Sequence, residues 1–159
     1  MTQELSLPAE IIYFQGHPNI LATHRNTIEV TKVAEISKRA DCIVGVNATK
    51  ACLDLSPALK KYVQDSGNLE FEILVNNSTF KFSGRGRREL DLSDPRELVL
   101  RRSDFISPRT AAISCGAAAI DLPREMVRLL QEPKTVGSLS IRASQAIRRE
   151  VPILPFIES

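Results

Sequence analysis

The chain reads twice, and that repeat constrains its fold more than any single motif does. Tyr13-Phe14-Gln15-Gly16 answers Lys81-Phe82-Ser83-Gly84, and Thr27-Ile28-Glu29-Val30 answers Glu97-Leu98-Val99-Leu100. Further on, Lys50-Ala51-Cys52-Leu53-Asp54-Leu55 answers Ala117-Ala118-Ala119-Ile120-Asp121-Leu122, and Ala58-Leu59-Lys60-Lys61-Tyr62-Val63 answers Glu125-Met126-Val127-Arg128-Leu129-Leu130. The offset drifts only between 67 and 70 residues, so four matches in series point to a duplicated unit, about 11–75 and again about 80–143.

Each copy carries the same local signals. A short strand ending at glycine (Ile11–Gln15; Phe80–Ser83) precedes a strand of alternating apolar and polar residues (Thr27–Thr31; Glu97–Arg101). A more apolar strand follows, Cys42–Val46 or Thr110–Ile113, of the kind buried on both faces. Ser56 before Pro57 is a helix start, and Pro123 marks the equivalent place in the second copy. Leu59 and Val63, like Met126 and Leu130, make one apolar stripe, and a last strand closes each unit (Leu69–Val75; Val136–Arg142) before the linker Asn76-Asn77-Ser78 or the tail. The fold class expected is α+β: a duplicated β-β-β-α-β unit about a pseudo-twofold axis, with two short helices. One small helix per half cannot cover a strand face alone, so residues 1–159 are expected to form a single domain, as one mixed sheet or a closed barrel. The tail, residues 144–159, breaks the pattern; its apolar run Val151-Pro152-Ile153-Leu154-Pro155-Phe156-Ile157 is expected to pack on the body or on a partner subunit.

Composition narrows the function. With no Trp, two Tyr and six Phe, the chain lacks the aromatic rings of a base-stacking platform. Charge is uneven: residues 79–159 hold fourteen Lys and Arg against ten Asp and Glu, and twelve of those cations are Arg, the better fork for phosphate and carboxylate. Nucleic acid is therefore a possible partner but not the favoured one. Cys42, Cys52 and Cys115 are an odd number without a secretory pattern at the N-terminus, which reads as free thiols in a reducing cytoplasm. No apolar run approaches the roughly 20 residues of a membrane span. A monomer or homodimer is expected.

The most unusual stretch is Gly16-His17-Pro18-Asn19-Ile20-Leu21-Ala22-Thr23-His24-Arg25-Asn26-Thr27, a loop between strands that holds both histidines. Histidine serves as acid, base or ligand near neutrality, and such loops carry function more often than the strands they join. The same residue types also hydrogen-bond a loop's own backbone. In the second copy Arg85 follows the glycine where the first copy has His17, and Asp94 stands near the place of His24, so any site is asymmetric. The ligand-binding residues expected are His17, Asn19, Thr23, His24, Arg25 and Thr27, with Lys50 and Arg109 flanking the third strands. As catalytic residues, His17 or His24 would act as acid or base with Asp41 orienting the ring. Asp54 and Asp121, matched acids before the helices, are read as capping groups. His17, His24, Cys42 and Cys52 have no zinc-type spacing, so no metal site is expected, and no cofactor motif is present.

At Gly16-His17-Pro18-Asn19…Ala22-Thr23-His24-Arg25-Asn26-Thr27 and Arg39-Ala40-Asp41-Cys42-Ile43-Val44-Gly45 the chain resembles the archaeal domain-of-unknown-function family 371. The second half resembles it through Arg101-Arg102-Ser103-Asp104, Pro108-Arg109-Thr110 and Asp121-Leu122, so the likeness spans about 11–143. The resemblance implies a cytoplasmic archaeal protein and no particular chemistry. It would put glycine at Ala40 and a lysine near Ala117 to match Lys50. Taken together, these readings favour a binding module for an anionic ligand (nucleotide, phosphometabolite or RNA backbone). The alternatives are a small enzyme using a loop histidine as general acid or base, and an assembly protein docking through its tail.

Overall fold

The computed structural model describes residues 7–144, and its eight strands form two four-stranded sheets. In chain order they are β1 (Ala9–Gln15), β2 (Thr27–Thr31), β3 (Ile43–Gly45), β4 (Asn68–Val75), β5 (Ser78–Arg85), β6 (Glu97–Arg101), β7 (Thr110–Ala112) and β8 (Val136–Ala143). Helices α1 (Pro57–Gln64) and α2 (Arg124–Leu130) each follow a single 3-10 turn, at Cys52–Asp54 and Ala119–Asp121. The order strand, strand, strand, turn, helix, strand thus occurs twice. The expectation for the tail falls outside the described residues.

The first sheet runs β1-β8-β4-β5, antiparallel throughout, and the second β3-β2-β6-β7. At the centre of each, a strand of the first half pairs antiparallel with one of the second: β4 with β8 and β2 with β6. β1 also crosses over, pairing with β8, while β5 pairs with β4. The expected linker at 76–78 is instead a two-residue turn joining β4 to β5, with Val75 opposite Ser78 and Asn76 in the left-handed region (φ 53°). Asparagine tolerates that conformation better than other side chains, which suits it to a tight hairpin.

The single mixed sheet or closed barrel is not formed. The sheets touch through two lone bridges, Gln15 with Val46 and Arg85 with Ile113. Gln15 and Arg85 are the last residues of β1 and β5, so each ladder ends after one pair. The parallel steps from β2 to β3 and from β6 to β7 carry register shifts, which also limits continuous pairing.

Alternation fills the space between the sheets. Ile12, Phe14, Leu69, Phe71, Ile73, Leu139 and Ile141 from the first sheet meet Ile28, Val30, Leu98 and Leu100 from the second, with Leu59, Val63, Met126 and Leu130 of the helices in the same cluster. α1 starts as its sequence dictates: the Ser56 hydroxyl accepts the Leu59 N–H at 3.1 Å, and Pro57 needs no partner for a missing donor. α2 lacks that cap. Arg124 spreads its guanidinium over the carbonyls of Ala22, Ala119, Ile120 and Leu122 at 2.9–3.2 Å, tying the loop after β1 to the turn before α2. The matched acids do cap, but at the 3-10 turns. Asp54 accepts the Ala51 N–H and pairs with Lys32, while Asp121 accepts the Ala118 N–H and pairs with Arg102.

Two glycines set how closely the chain packs where β1 and β5 end. A side chain on Gly16 would strike the carbonyls of Leu130 and Glu132, and one on Gly86 the carbonyl of Val63. Neither has a strained φ, so the demand is for space alone. Gly86→Ala is expected to destabilise the fold by about 1–3 kcal/mol, the usual cost of overpacking against backbone. Gly116→Ala, whose nearest neighbour would stand at 4.0 Å, serves as the control and should leave the urea midpoint unchanged. Equal midpoints for both variants would contradict this packing.

Candidate functional site

The loop after β1 divides in two. Its first part opens onto a cleft of about 400 Å³ walled by Gln15, His17, Asn19, Glu35 and Asn47. The turn is held by backbone: Gly16 N–H donates to Thr135, His17 N–H to Leu130, and Ile20 N–H to His17. The His17 ring is mostly buried, with 11% of its side chain exposed. Its Nδ1 accepts the Asn19 N–H at 3.0 Å, so the proton of the neutral ring sits on Nε2, which faces Glu35 Oε1 at 3.1 Å. Asn19 is fixed in turn by donating its amide to the Ile36 carbonyl at 2.9 Å. Across the cleft the Asn47 amide donates to Gln15 Oε1 at 2.8 Å. Asn47 holds a left-handed φ of 52°, a conformation that places its side chain at the cleft wall with some strain.

The second part is structural. Thr23 and His24 donate their N–H groups to the Asp41 carbonyl, and the His24 Nδ1 accepts from the N–H groups of Asn26 and Thr27 at 3.0 and 3.2 Å. Asp94 does the same work in the other half, accepting from Arg96 and Glu97 at 2.8 Å. His24 therefore acts as a turn cap in the place of an aspartate. Among the described residues no hydrogen bond runs from the Asp41 carboxylate to either ring, so Asp41 orients neither histidine through its side chain. Arg25 is exposed on the surface of the loop.

Lys50 and Arg109 stand elsewhere and are already paired. Lys50 Nζ binds the buried Glu10 carboxylate, whose other oxygen accepts the Ser56 N–H at 2.9 Å. Glu10 lies five residues before Gln15 in β1, about 17 Å along the strand, so Lys50 does not join the His17 cleft. Arg109 binds Glu97 at 2.7 Å and faces Glu29 at 3.7 Å.

That second cluster lies on the outer side of the β2–β6 pair, beneath the connections that lead to β3 and β7. Glu29 is buried at its centre and accepts the Cys42 thiol at 3.3 Å. Burial, and next the charge of Glu97, push the Glu29 carboxyl up to about 7. Burial and the Glu29 charge push the Cys42 thiol up to about 12, so it is a donor and not a nucleophile. Thr27 reaches the same thiol and the His24 Nδ1 (3.1 Å), and Thr31 donates to Glu97 at 3.3 Å. Among the described residues no group of three His, Cys, Asp or Glu side chains is arranged to hold a metal ion, and no helix is long and apolar enough to cross a membrane.

Residues 12–144 match the family described as a domain of unknown function, DUF371. The chain belongs to this family. It is also 36% identical over 124 residues to an uncharacterized protein of Methanocaldococcus jannaschii, an alignment that covers 78% of this chain and 92% of the relative. The family match takes in both halves of this DUF371 chain and the His17 cleft, and stops at residue 144.

Of the residues the sequence singles out, the fold thus brings His17 and Asn19 together at one cleft. It puts Thr27 and Arg109 in the Glu29 cluster, and leaves Thr23, His24, Arg25 and Lys50 outside both. Gln15 and Glu35 complete the cleft unannounced, together with Asn47, which the sequence places beside the buried third strand.

Glu29 gives the DUF371 chain a pH dependence with a definite sign. Its folded pKa, about 7, lies above its ordinary 4.5, so the native state holds a proton that the unfolded chain releases. The stability this confers is full below pH 4.5 and is lost as pH rises through 7. The loss is of order 3 kcal/mol. Chemical denaturation across that range should show stability falling with pH, and Glu29→Gln should flatten the fall. An unchanged slope in the variant would exclude Glu29 as its source.

Proposed function

We propose that this chain is a binding module for an anionic small ligand, seated in the His17 cleft. A single observation carries the reading: His17 is locked as a hydrogen-bond donor. With Nδ1 occupied by the Asn19 N–H, the neutral ring offers Nε2–H to the cleft, and the acceptor it meets is a carboxylate, Glu35. The Glu35 side chain is 88% exposed, so that pairing is weak and exchangeable. A ligand carboxylate or phosphate oxygen takes its place; among the described residues the uncommitted Gln15 Nε2 is a further donor, and the Asn19 and Asn47 Oδ1 atoms accept from the ligand's own donors.

The same geometry disfavours the enzymatic alternative. A general base needs a free ring nitrogen, and at both His17 and His24 the Nδ1 is spent on backbone N–H groups. We further propose that the two halves are copies of one unit working as one domain. The matched bridges, caps and ion pairs at offsets of 67 to 70 residues support that reading.

The test is a titration of the full chain with acetate, citrate and AMP, followed by amide and histidine ring NMR shifts. Ligand shifts should appear at residues 15–19 and 47, and His17→Ala should abolish them there. Glu35→Gln, by removing the internal competitor, should tighten binding by up to about fivefold, the worth of an exposed ion pair. Shifts at residues 15–19 and 47 that persist unchanged in His17→Ala would overturn the assignment.

A further inference from the structure

The cleft beside His17 has a counterpart in the second half, built on the same backbone with different side chains. Gln15 bridges Val46 at the first; Arg85 bridges Ile113 at the second. Gly16 and Gly86 follow, each pressed against backbone carbonyls. Next come His17 and Arg87, whose carbonyls accept the N–H of Ile20 and of Leu90. On the facing wall Asn47 and Ser114 both hold φ 52°. Register therefore matches His17 with Arg87, and Gln15 with Arg85.

The substitutions reverse the character of the site. The second cleft, about 230 Å³, is lined by Arg85, Arg87, Ser66, Ser114 and Asp104. Among the described residues the Arg85 guanidinium has no hydrogen bond or ion pair. Arg87 meets Glu89 alone, at 3.4 Å, with both side chains largely in solvent (43% and 62% exposed). The hydroxyls of Ser66 and Ser114 have no partner among the described residues. Two guanidiniums within two residues, with two uncommitted hydroxyls, form a donor set with one carboxylate, Asp104, on its wall.

We propose that this cleft is a phosphate site, taking inorganic phosphate or the phosphoryl group of a monoester. Guanidinium forks match tetrahedral oxyanions bidentately, and the hydroxyls supply further donors. The small volume admits a head group and not a whole nucleotide. Asp104 repels an anion without a proton but accepts a hydrogen bond from the hydroxyl of hydrogen phosphate, or of a monoester in its singly protonated form, which selects phosphate over sulfate. The site shares no side chain with the His17 cleft, so each stands or falls alone.

The experiment is a titration of the full chain with inorganic phosphate, sulfate and AMP at constant ionic strength, read by amide NMR shifts. Phosphate should shift residues 85–87 and 114 more strongly than sulfate does. Arg85→Ala, at an exposed position, should weaken binding about tenfold or more without changing the melting temperature, as expected for loss of a charge-assisted bond. His17→Ala should leave phosphate affinity unchanged, and Asp104→Asn should bring sulfate level with phosphate. AMP binding as tightly as phosphate through the same residues makes the monoester the natural form; phosphate alone makes it the free ion. The proposal is overturned if neither binds at millimolar concentration, if Arg85→Ala binds as the unaltered chain does, or if His17→Ala removes the phosphate shifts.

Discussion

Pairing between the halves, at the middle of both sheets, is what the other features rest on. β4 lies against β8 along their length, and β2 against β6, so neither half has a complete sheet of its own. The apolar faces of four strands from each half then close on one core shared with both helices. Because β1 and β5 end at the lone bridges, the chain leaves each sheet at a corner, and a cleft forms beside each departure. The two clefts are a consequence of how the halves interlock, which is why their backbones agree where their side chains do not.

The same pairing buries charge. β2 has all five residues buried, although only Ile28 and Val30 face the core. On its other side Glu29 sits opposite Val99 across the seam, with Cys42, Arg109 and Glu97 supplied by three other segments. A buried carboxylate beside the charge of Glu97, with one proton donor and one cation at 3.7 Å, is poorly compensated, and its pKa rises to about 7. Removing Arg109 alone would leave that acid less well paired, so the cluster behaves as a unit joining the halves.

Much of this was legible in the sequence where local chemistry decides structure. β2 and β6 run between the residues that alternation indicates, and Ser56 before Pro57 starts α1. What distant pairing decides was not. β1 and β5 extend beyond the expected ends because β8 and β4 offer them partners far along the chain. Ser83-Gly84-Arg85-Gly86 offers two glycines to match Gly16; sequence likeness selects Gly84, whereas the bridges select Gly86 and so bring Arg87, not Arg85, to the place of His17. Glu29 reads as the solvent side of a half-buried strand, since nothing local reveals that the connections to β3 and β7 fold over it. His17 and His24 look alike in the sequence, yet one lines a cleft and the other caps a turn.

The tautomer of His17 is the quantity on which the proposed function turns, and it is directly observable. Two-bond nitrogen–proton correlation of the histidine rings in the full chain at neutral pH distinguishes the two neutral forms. A proton on Nε2 of His17, retained when Glu35 is replaced by Gln, is the predicted result, because the Asn19 N–H fixes the ring independently of the carboxylate. A proton on Nδ1 would show that the ring is not held as a donor toward the cleft, and would contradict the assignment of this cleft as an anion site.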